Sequence, residues 1–315
     1  MFTAAQSPHK RPYLRYMYLI VCVVGLYGIA PELQGLHDVG HIYQHIKLVY
    51  LSVAILSYSA SYLFSAATYV FLSFKRLNYS RTLQVQIASN FINHLLPAGI
   101  GGIGSNYAYL RKSKLTTTQA AATVSVNNLL GLIGHLGVLV VVLLLNPSAI
   151  ARIRAPHIGL ALSAVVILVL IALISSVLMH PPWRHRLLQL LHNFVGQIRR
   201  YRDRPERILI ALSSSIGLTL CNAASLYFSA MAVGLHIGVL EMLIVFTIGV
   251  STGTLTPTPG GLGGVEAGLV GGLLAYHQSL APALATVLVY RIVTYWLALA
   301  VGAAMYVVVR RRGYL

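Results

Sequence analysis

Acidic residues are nearly missing from this chain. Of 315 residues, six are Asp or Glu, and Asp38 and Asp203 are the only aspartates. No two carboxylates share an apolar segment, and neither a phosphate-binding Gly-x-x-x-x-Gly-Lys loop nor a His-Glu-x-x-His pair occurs. Nucleotide hydrolysis and zinc-peptidase chemistry therefore have no recognisable seat. Cysteine is as scarce. Cys22 and Cys221 each lie within an apolar run, which excludes a disulfide framework and any metal-ligand spacing. Charge of both signs is low too. Only 9% of the chain is charged, against about 25% in an ordinary soluble domain.

What fills the space is apolar. The chain is 57% hydrophobic with a mean hydropathy of +0.74. Its apolar runs extend for about 20 residues or more, too long for barrel strands and long enough for spanning helices. The class is an all-α polytopic membrane protein. The net charge of +17 would suggest nucleic acid in a soluble chain. Here the basic residues stand in short clusters between apolar runs, the pattern of membrane topology and anionic lipid, so no nucleic-acid partner is expected.

Six full spans are predicted, at 13–31, 47–74, 116–145, 157–179, 208–233 and 281–309. The first follows Lys10, Arg11 and Arg15, as a secretion signal would. Pro31-Glu32-Leu33 offers no small-x-small cleavage site, however, so it reads as a span. Segment 180–207 is hydrophilic, with Trp183, Leu187, Leu190, Leu191, Phe194 and Ile198 at helical spacing against Arg184, Arg186, Arg199 and Arg200. That pattern suits a surface helix on anionic head groups, or a solvated connector. His37, His41 and His45 repeat every fourth residue, which suits an interfacial helix better than a metal or pH-sensing site.

Two further apolar stretches are interrupted. Residues 82–96 hold Gln84, Gln86, Asn90, Asn93 and His94 and reach roughly 22 Å, short of a hydrocarbon core of about 30 Å. They end at Pro97-Ala98-Gly99-Ile100-Gly101-Gly102-Ile103. Residues 239–255 end similarly at Pro259-Gly260-Gly261-Leu262-Gly263-Gly264-Val265. The two turns align position by position. A glycine-rich turn at membrane depth is tolerated where protein buries it or a wet cavity lies beside it. Two of them in matching places point to a site between repeats. We read 82–110 and 239–276 as re-entrant helical hairpins.

Counting charge orients these pieces. With the N-terminus in the cytoplasm, 19 Lys and Arg fall on that side and three outside, with Arg291 inside a span. The bias supports cytoplasmic termini. The first hairpin then enters from the cytoplasm and the second from outside. Within a single membrane domain, 1–315, residues 47–145 and 208–309 form an inverted-topology repeat.

Glu266 and Arg291 stand out within this apolar setting. Each ionisable side chain in the bilayer costs at least about 2.5–3.5 kcal/mol without a partner. Counted from the outer turn near His277, they lie at depths of about 16 Å and 15 Å, so they are expected to pair at midplane. The pair either locks the second hairpin onto the last span or offers the Arg291 guanidinium to a lipid phosphate. Thr252, Thr254, Thr256 and Thr258 either satisfy carbonyls of the broken helix or line a polar path. Asn90, Asn93, His94, Asn106, Asn127 and Asn128 form an uncharged polar set in the first repeat, suited to a wet cleft or to interhelical hydrogen bonds.

The stretch from Pro257 through Pro259-Gly260-Gly261-Leu262-Gly263-Gly264-Val265-Glu266 to Gly268 resembles the signature of the lysylphosphatidylglycerol synthase transmembrane region, a family of flippase-like membrane proteins. Tyr290-Arg291-Ile292-Val293-Thr294-Tyr295-Trp296 is similar to its last-span motif, and Leu95 to Leu110 to its first loop. The resemblance covers nearly the whole chain. It implies a membrane domain that binds an anionic or aminoacylated phospholipid, or another lipid-linked substrate, and moves it between leaflets. In fused members a separate soluble domain attaches an amino acid to phosphatidylglycerol. That domain is expected to be absent here, since Leu315 follows soon after the last span.

The resemblance carries substrate contact onto Pro259, Gly260, Gly261, Gly263, Gly264, Glu266 and Arg291. Pro97, Gly99, Gly101, Gly102, Asn93, Asn127 and Asn128 are the candidates from the first repeat. Many members place an acid just after the first glycine turn, an arginine shortly beyond it, and another arginine in the following span; here Ile103, Asn106 and Asn128 stand there. No catalytic residue, cofactor or metal is expected. Two alternatives remain open: an accessory subunit holding a lipid-modifying enzyme or glycosyltransferase at the membrane, or a membrane transferase using Glu32 or Asp38. The expected location is the plasma membrane.

Overall fold

The computed structural model describes residues 45–147 and 205–315, apart from 98 and 257. Among these the structure is helical. α1 is Leu48–Leu72, α2 Tyr79–Leu95, α3 Ile100–Lys112 and α4 Thr117–Leu145. α5 is Pro205–Ala232, α6 Val239–Leu255 and α7 Gly264–Ala275. α8, Leu280–Arg291, runs through a π turn, Ile292–Leu297, into α9, Ala298–Arg311. Four continuous helical segments are long and apolar enough to cross a membrane: α1, α4, α5 and α8 through α9. They coincide with four of the six expected spans. The expected spans at 13–31 and 157–179, the surface helix apart from its last three residues, and His37 and His41 lie outside the described residues.

Local sequence sets the ends. Asn78 accepts from the Arg81 N–H at 3.0 Å, which starts α2 three residues earlier than its polar content suggests. Thr116 and Gln119 exchange bonds as a capping box that opens α4. Pro205, in the first turn of α5, needs no N–H partner there.

α1 and α5 run antiparallel along their full length. The Lys47 N–H donates to the Ala232 carbonyl at 3.0 Å, and at the other end Arg207 Nη1 reaches the Ser73 carbonyl at 3.5 Å. Midway, Gly217 lets the Phe64 ring lie against the α5 backbone; a Cβ there would come within 2.7 Å of that ring. Lipid offers no hydrophobic drive between apolar helices, so close approach at small residues provides the contact.

The second hairpin shows this most clearly. Gly264, Gly268 and Gly272 recur every fourth residue on α7 and face Thr252, Thr256, Gly249 and Val245 of α6. Gly249 and Gly253 return the arrangement by admitting Leu269 and Val265. The first hairpin is held differently, by α9 laid against α2, where Gly302 accommodates Phe91 and the Ile87 carbonyl.

Two apolar cores flank the middle. One gathers Met242, Ile244, Leu269, Leu273 and Val287 with Val138 and Leu226. The other joins Tyr69, Val85, Leu110 and Leu115 to Val309. The basic residues collect at the end of this second core. Lys75 Nζ donates to the Lys114 carbonyl, Arg312 Nη1 to Gln84 Oε1 at 3.1 Å, and the Arg81 guanidinium lies 5.4 Å from the Tyr314 ring. The opposite end, where Gln278 Nε2 reaches the His236 carbonyl at 3.5 Å, carries Lys47 as its one Lys or Arg among the described residues.

Candidate functional site

Both hairpins turn between these cores, and their tips meet. Pro97 and Pro259 form an isolated antiparallel β-bridge. Neither proline has an N–H to give, so they can sit opposite one another only as the closely spaced, non-hydrogen-bonded type of pair. Beyond each proline a glycine in the left-handed region opens the return helix: Gly99 with φ +73° before α3, and Gly263 with φ +84° before α7.

Arg291, the last residue of α8, reaches across to the second tip. Its Nε stands 2.6 Å from Glu266 Oε1. That contact is ionic; the Nε–H does not point along a hydrogen bond. Nη2 donates to the Gly260 carbonyl at 3.2 Å, while Nη1 has no hydrogen-bond partner among the described residues. The other carboxylate oxygen, Glu266 Oε2, accepts from the Gly263 N–H at 2.8 Å. Glu266 thus caps α7 and also favours the positive end of its dipole. Both residues are buried, Glu266 at 5% and Arg291 at 7% exposure. Each therefore depends on the other to offset desolvation.

The π turn follows Arg291 immediately. By widening the helix it shifts the phase of the residues it contains. Tyr295 there lies with its ring 4.7 Å from the Arg291 guanidinium carbon, a cation–π contact. The same ring meets His94 edge-on at 4.8 Å, and His94 Nδ1 is 2.7 Å from the Asn90 carbonyl. Gly260, at φ +60°, lies beneath Tyr295, where any Cβ would collide with the ring. Side chains from α2 and from the π turn, His94 and Tyr295, therefore flank the second tip.

The first tip is capped by an amide instead of a carboxylate. Asn93 Oδ1 on α2 accepts from the Gly102 N–H at 3.1 Å. Behind it, Gln86 Nε2 donates to Asn106 Oδ1 at 2.7 Å, and Asn106 Nδ2 returns to the Gly102 carbonyl at 2.8 Å. Asn90 Nδ2 donates to the hydroxyls of Tyr58 and Tyr62 at 3.0 and 2.8 Å.

A cavity of about 450 Å³ opens beside this network, lined by Tyr58, Asn90, Asn93, Gly99, Gly102, Asn127 and Asn128 among others. A second, of about 410 Å³, is lined by Gly260, Gly261, His94 and Arg291. The two share Tyr58, Asn90, Asn93, Gly99, Leu218 and Asn222, so they adjoin as the two ends of a cleft, one amide-rich and the other cationic.

The expected site residues thus divide. Asn93, Gly99, Gly102, Asn127 and Asn128 line the amide end; Gly260, Gly261 and Arg291 line the other. Pro97 and Pro259 join the tips. Gly101 and Gly264 pack against the opposite arm of their own hairpins, while Gly263 and Glu266 set the start of α7. All four threonines place their hydroxyls within 2.9 Å of backbone carbonyls; Thr254 and Thr258 line the cleft as well. Tyr58 and Tyr62 were not anticipated. Their signal is present in the chain: Tyr58, Ser61, Tyr62, Ser65 and Tyr69 mark one polar helical face on an otherwise apolar span. Asn222, within α5, stands alone and carries no such pattern.

No curated protein matches this chain. A family model described as Lysylphosphatidylglycerol synthase TM region matches residues 18–302.

Proposed function

This chain belongs to the lysylphosphatidylglycerol synthase TM region family, and we propose that it binds a phosphate-linked membrane lipid in the central cleft and passes the head group between leaflets. The observation that carries this reading is the buried Arg291–Glu266 pair at the rim of a polar cleft. Arg291 is oriented by three partners and keeps Nη1 free to meet an anionic oxygen. A guanidinium recognises phosphate well, and a site walled by helices and deep in the bilayer strengthens that contact.

The inverted-topology repeat belongs to the same proposal. In it, α1 and α5 are counterparts, as are the hairpins, α4 and the α8–α9 span. The antiparallel course of α1 and α5 and the meeting of Pro97 with Pro259 support this. So does the packing of α9 on α2, matched by α4 on α6. Six spans, cytoplasmic termini and a plasma-membrane location complete the reading, supported by the collection of basic residues at one end.

The test is leaflet-resolved lipid movement in proteoliposomes, followed with acyl-chain-labelled anionic phospholipid. Arg291→Ala is expected to slow movement at least tenfold, with Arg291→Lys between it and wild type. Equal rates for all three remove the pair from the mechanism.

A further inference from the structure

The amide end of the cleft holds hydrogen-bonding groups that the fold itself does not use. Ser89 lines the cavity, and its buried Oγ has no hydrogen-bond partner among the described residues. Asn128 makes no hydrogen bond among the described residues. Asn93 uses only its oxygen, Asn90 and Asn127 only their nitrogens. Free donors and free acceptors of these amides therefore border the same space, with no Asp, Glu, Lys, Arg or His among the described residues that line it. In this part of a membrane interior, unpaired polar groups are costly.

That inventory discriminates between head groups. An ammonium leaves water most readily against a carboxylate, and none is among the described residues of this lining; Glu266, at the second tip, is already engaged by Arg291 and the Gly263 N–H. A hydroxyl both donates and accepts, so a ring of vicinal hydroxyls matches amide groups that offer both. Tyr58, Tyr62 and Tyr69 along the wall add aromatic surface suited to the C–H groups of such a ring. The volume, about 450 Å³, lies in the range of small-molecule sites.

We propose that the amide end selects an uncharged cyclic polyol, a sugar or inositol, carried on a lipid whose phosphate meets Arg291. This rests on the phosphate-lipid reading above and names the head group for the same cleft. The two cavities adjoin at Asn90, Asn93 and Asn222, so one ligand lying across these side chains touches both ends. A cationic aminoacyl head group finds no counter-charge there among the described residues.

The experiment uses the full chain in proteoliposomes, with acyl-chain-labelled phosphatidylinositol, phosphatidylethanolamine and lysylphosphatidylglycerol compared in parallel. Phosphatidylinositol is expected to move at least tenfold faster than either amine-bearing lipid. Asn128→Leu breaks no side-chain hydrogen bond among the described residues and is expected to narrow that ratio to under twofold. Asn128→Asp is expected to raise the rate for lysylphosphatidylglycerol. Equal movement of the three lipids, still dependent on Arg291, overturns the polyol selectivity and leaves the phosphate-lipid reading standing. Faster movement of lysylphosphatidylglycerol by wild type does the same. Movement of none of them, or movement indifferent to Arg291→Ala, overturns both.

Discussion

Pro97 and Pro259 face each other as an antiparallel pair where the two hairpins meet. These residues are 162 positions apart in the chain and head the two glycine turns that align with each other. A non-hydrogen-bonded pair brings Cα atoms to about 4.5 Å, within the span of a disulfide. In a Cys22→Ser, Cys221→Ser background, Pro97→Cys with Pro259→Cys is expected to cross-link on mild oxidation. A mobility shift on a non-reducing gel after cleavage between the halves reads it. A pair that stays reduced contradicts the meeting of the tips.

The charge pair has its own thermodynamic signature. Removing one partner of a buried ion pair leaves the other uncompensated, at a cost of about 3–5 kcal/mol. Glu266→Ala and Arg291→Ala are each expected to lower the midpoint of thermal unfolding in detergent. The double variant, Glu266→Ala with Arg291→Ala, is expected to cost less than the two single losses combined, because no lone charge remains. A strictly additive double-mutant cycle would show that the two side chains do not act as a unit.

Two glycines of α7 form a matched test of the hairpin seam. A Cβ on Gly268 would meet Thr252 Oγ1 and stand 2.8 Å from Gly249 Cα, whereas one on Gly271 meets nothing within 4 Å. Gly268→Ala is expected to destabilise by about 1–3 kcal/mol, as overpacking does. Gly271→Ala is expected to be neutral or to gain up to about 1 kcal/mol from helix propensity. Indistinguishable unfolding curves for the two variants would count against the close seam between α6 and α7.

Sidedness can be read by thiol labelling of single-cysteine variants. Ser113 lies at the end where the basic residues gather, and Ser279 at the other. With the proposed orientation, Ser279→Cys reacts with a membrane-impermeant reagent on intact cells, and Ser113→Cys reacts only after permeabilisation. The reverse pattern inverts the topology.

Much of this fold is legible in the sequence because membrane depth turns residue counts into distances. The two breaks, the four described spans and the meeting of Glu266 with Arg291 all follow from helical rise and the placement of Pro97 and Pro259. Contacts between segments do not. Nothing periodic announces that Pro97 finds Pro259, that Asn93 caps Gly102 from the neighbouring helix, or that Tyr295 lies over Arg291. The last depends on the π turn at Ile292–Leu297, which alters helical phase within a stretch whose apolar composition reads as one unbroken span. Gly264, Gly268 and Gly272 stand four residues apart in the chain, but only packing distinguishes them from Gly271.

The pairing of Arg291 with Glu266 also has an electrical consequence. One positive and one negative charge at nearly the same depth feel opposite forces from the transmembrane voltage, so the pair itself couples to it only weakly. A phosphate arriving beside them brings uncompensated charge into the field. Moving one elementary charge through the whole drop is worth about 2.3 kcal/mol per 100 mV. Under the proposed function, then, the resting protein is insensitive to membrane voltage, while the loaded protein carries current and its direction of net movement follows the sign of that voltage.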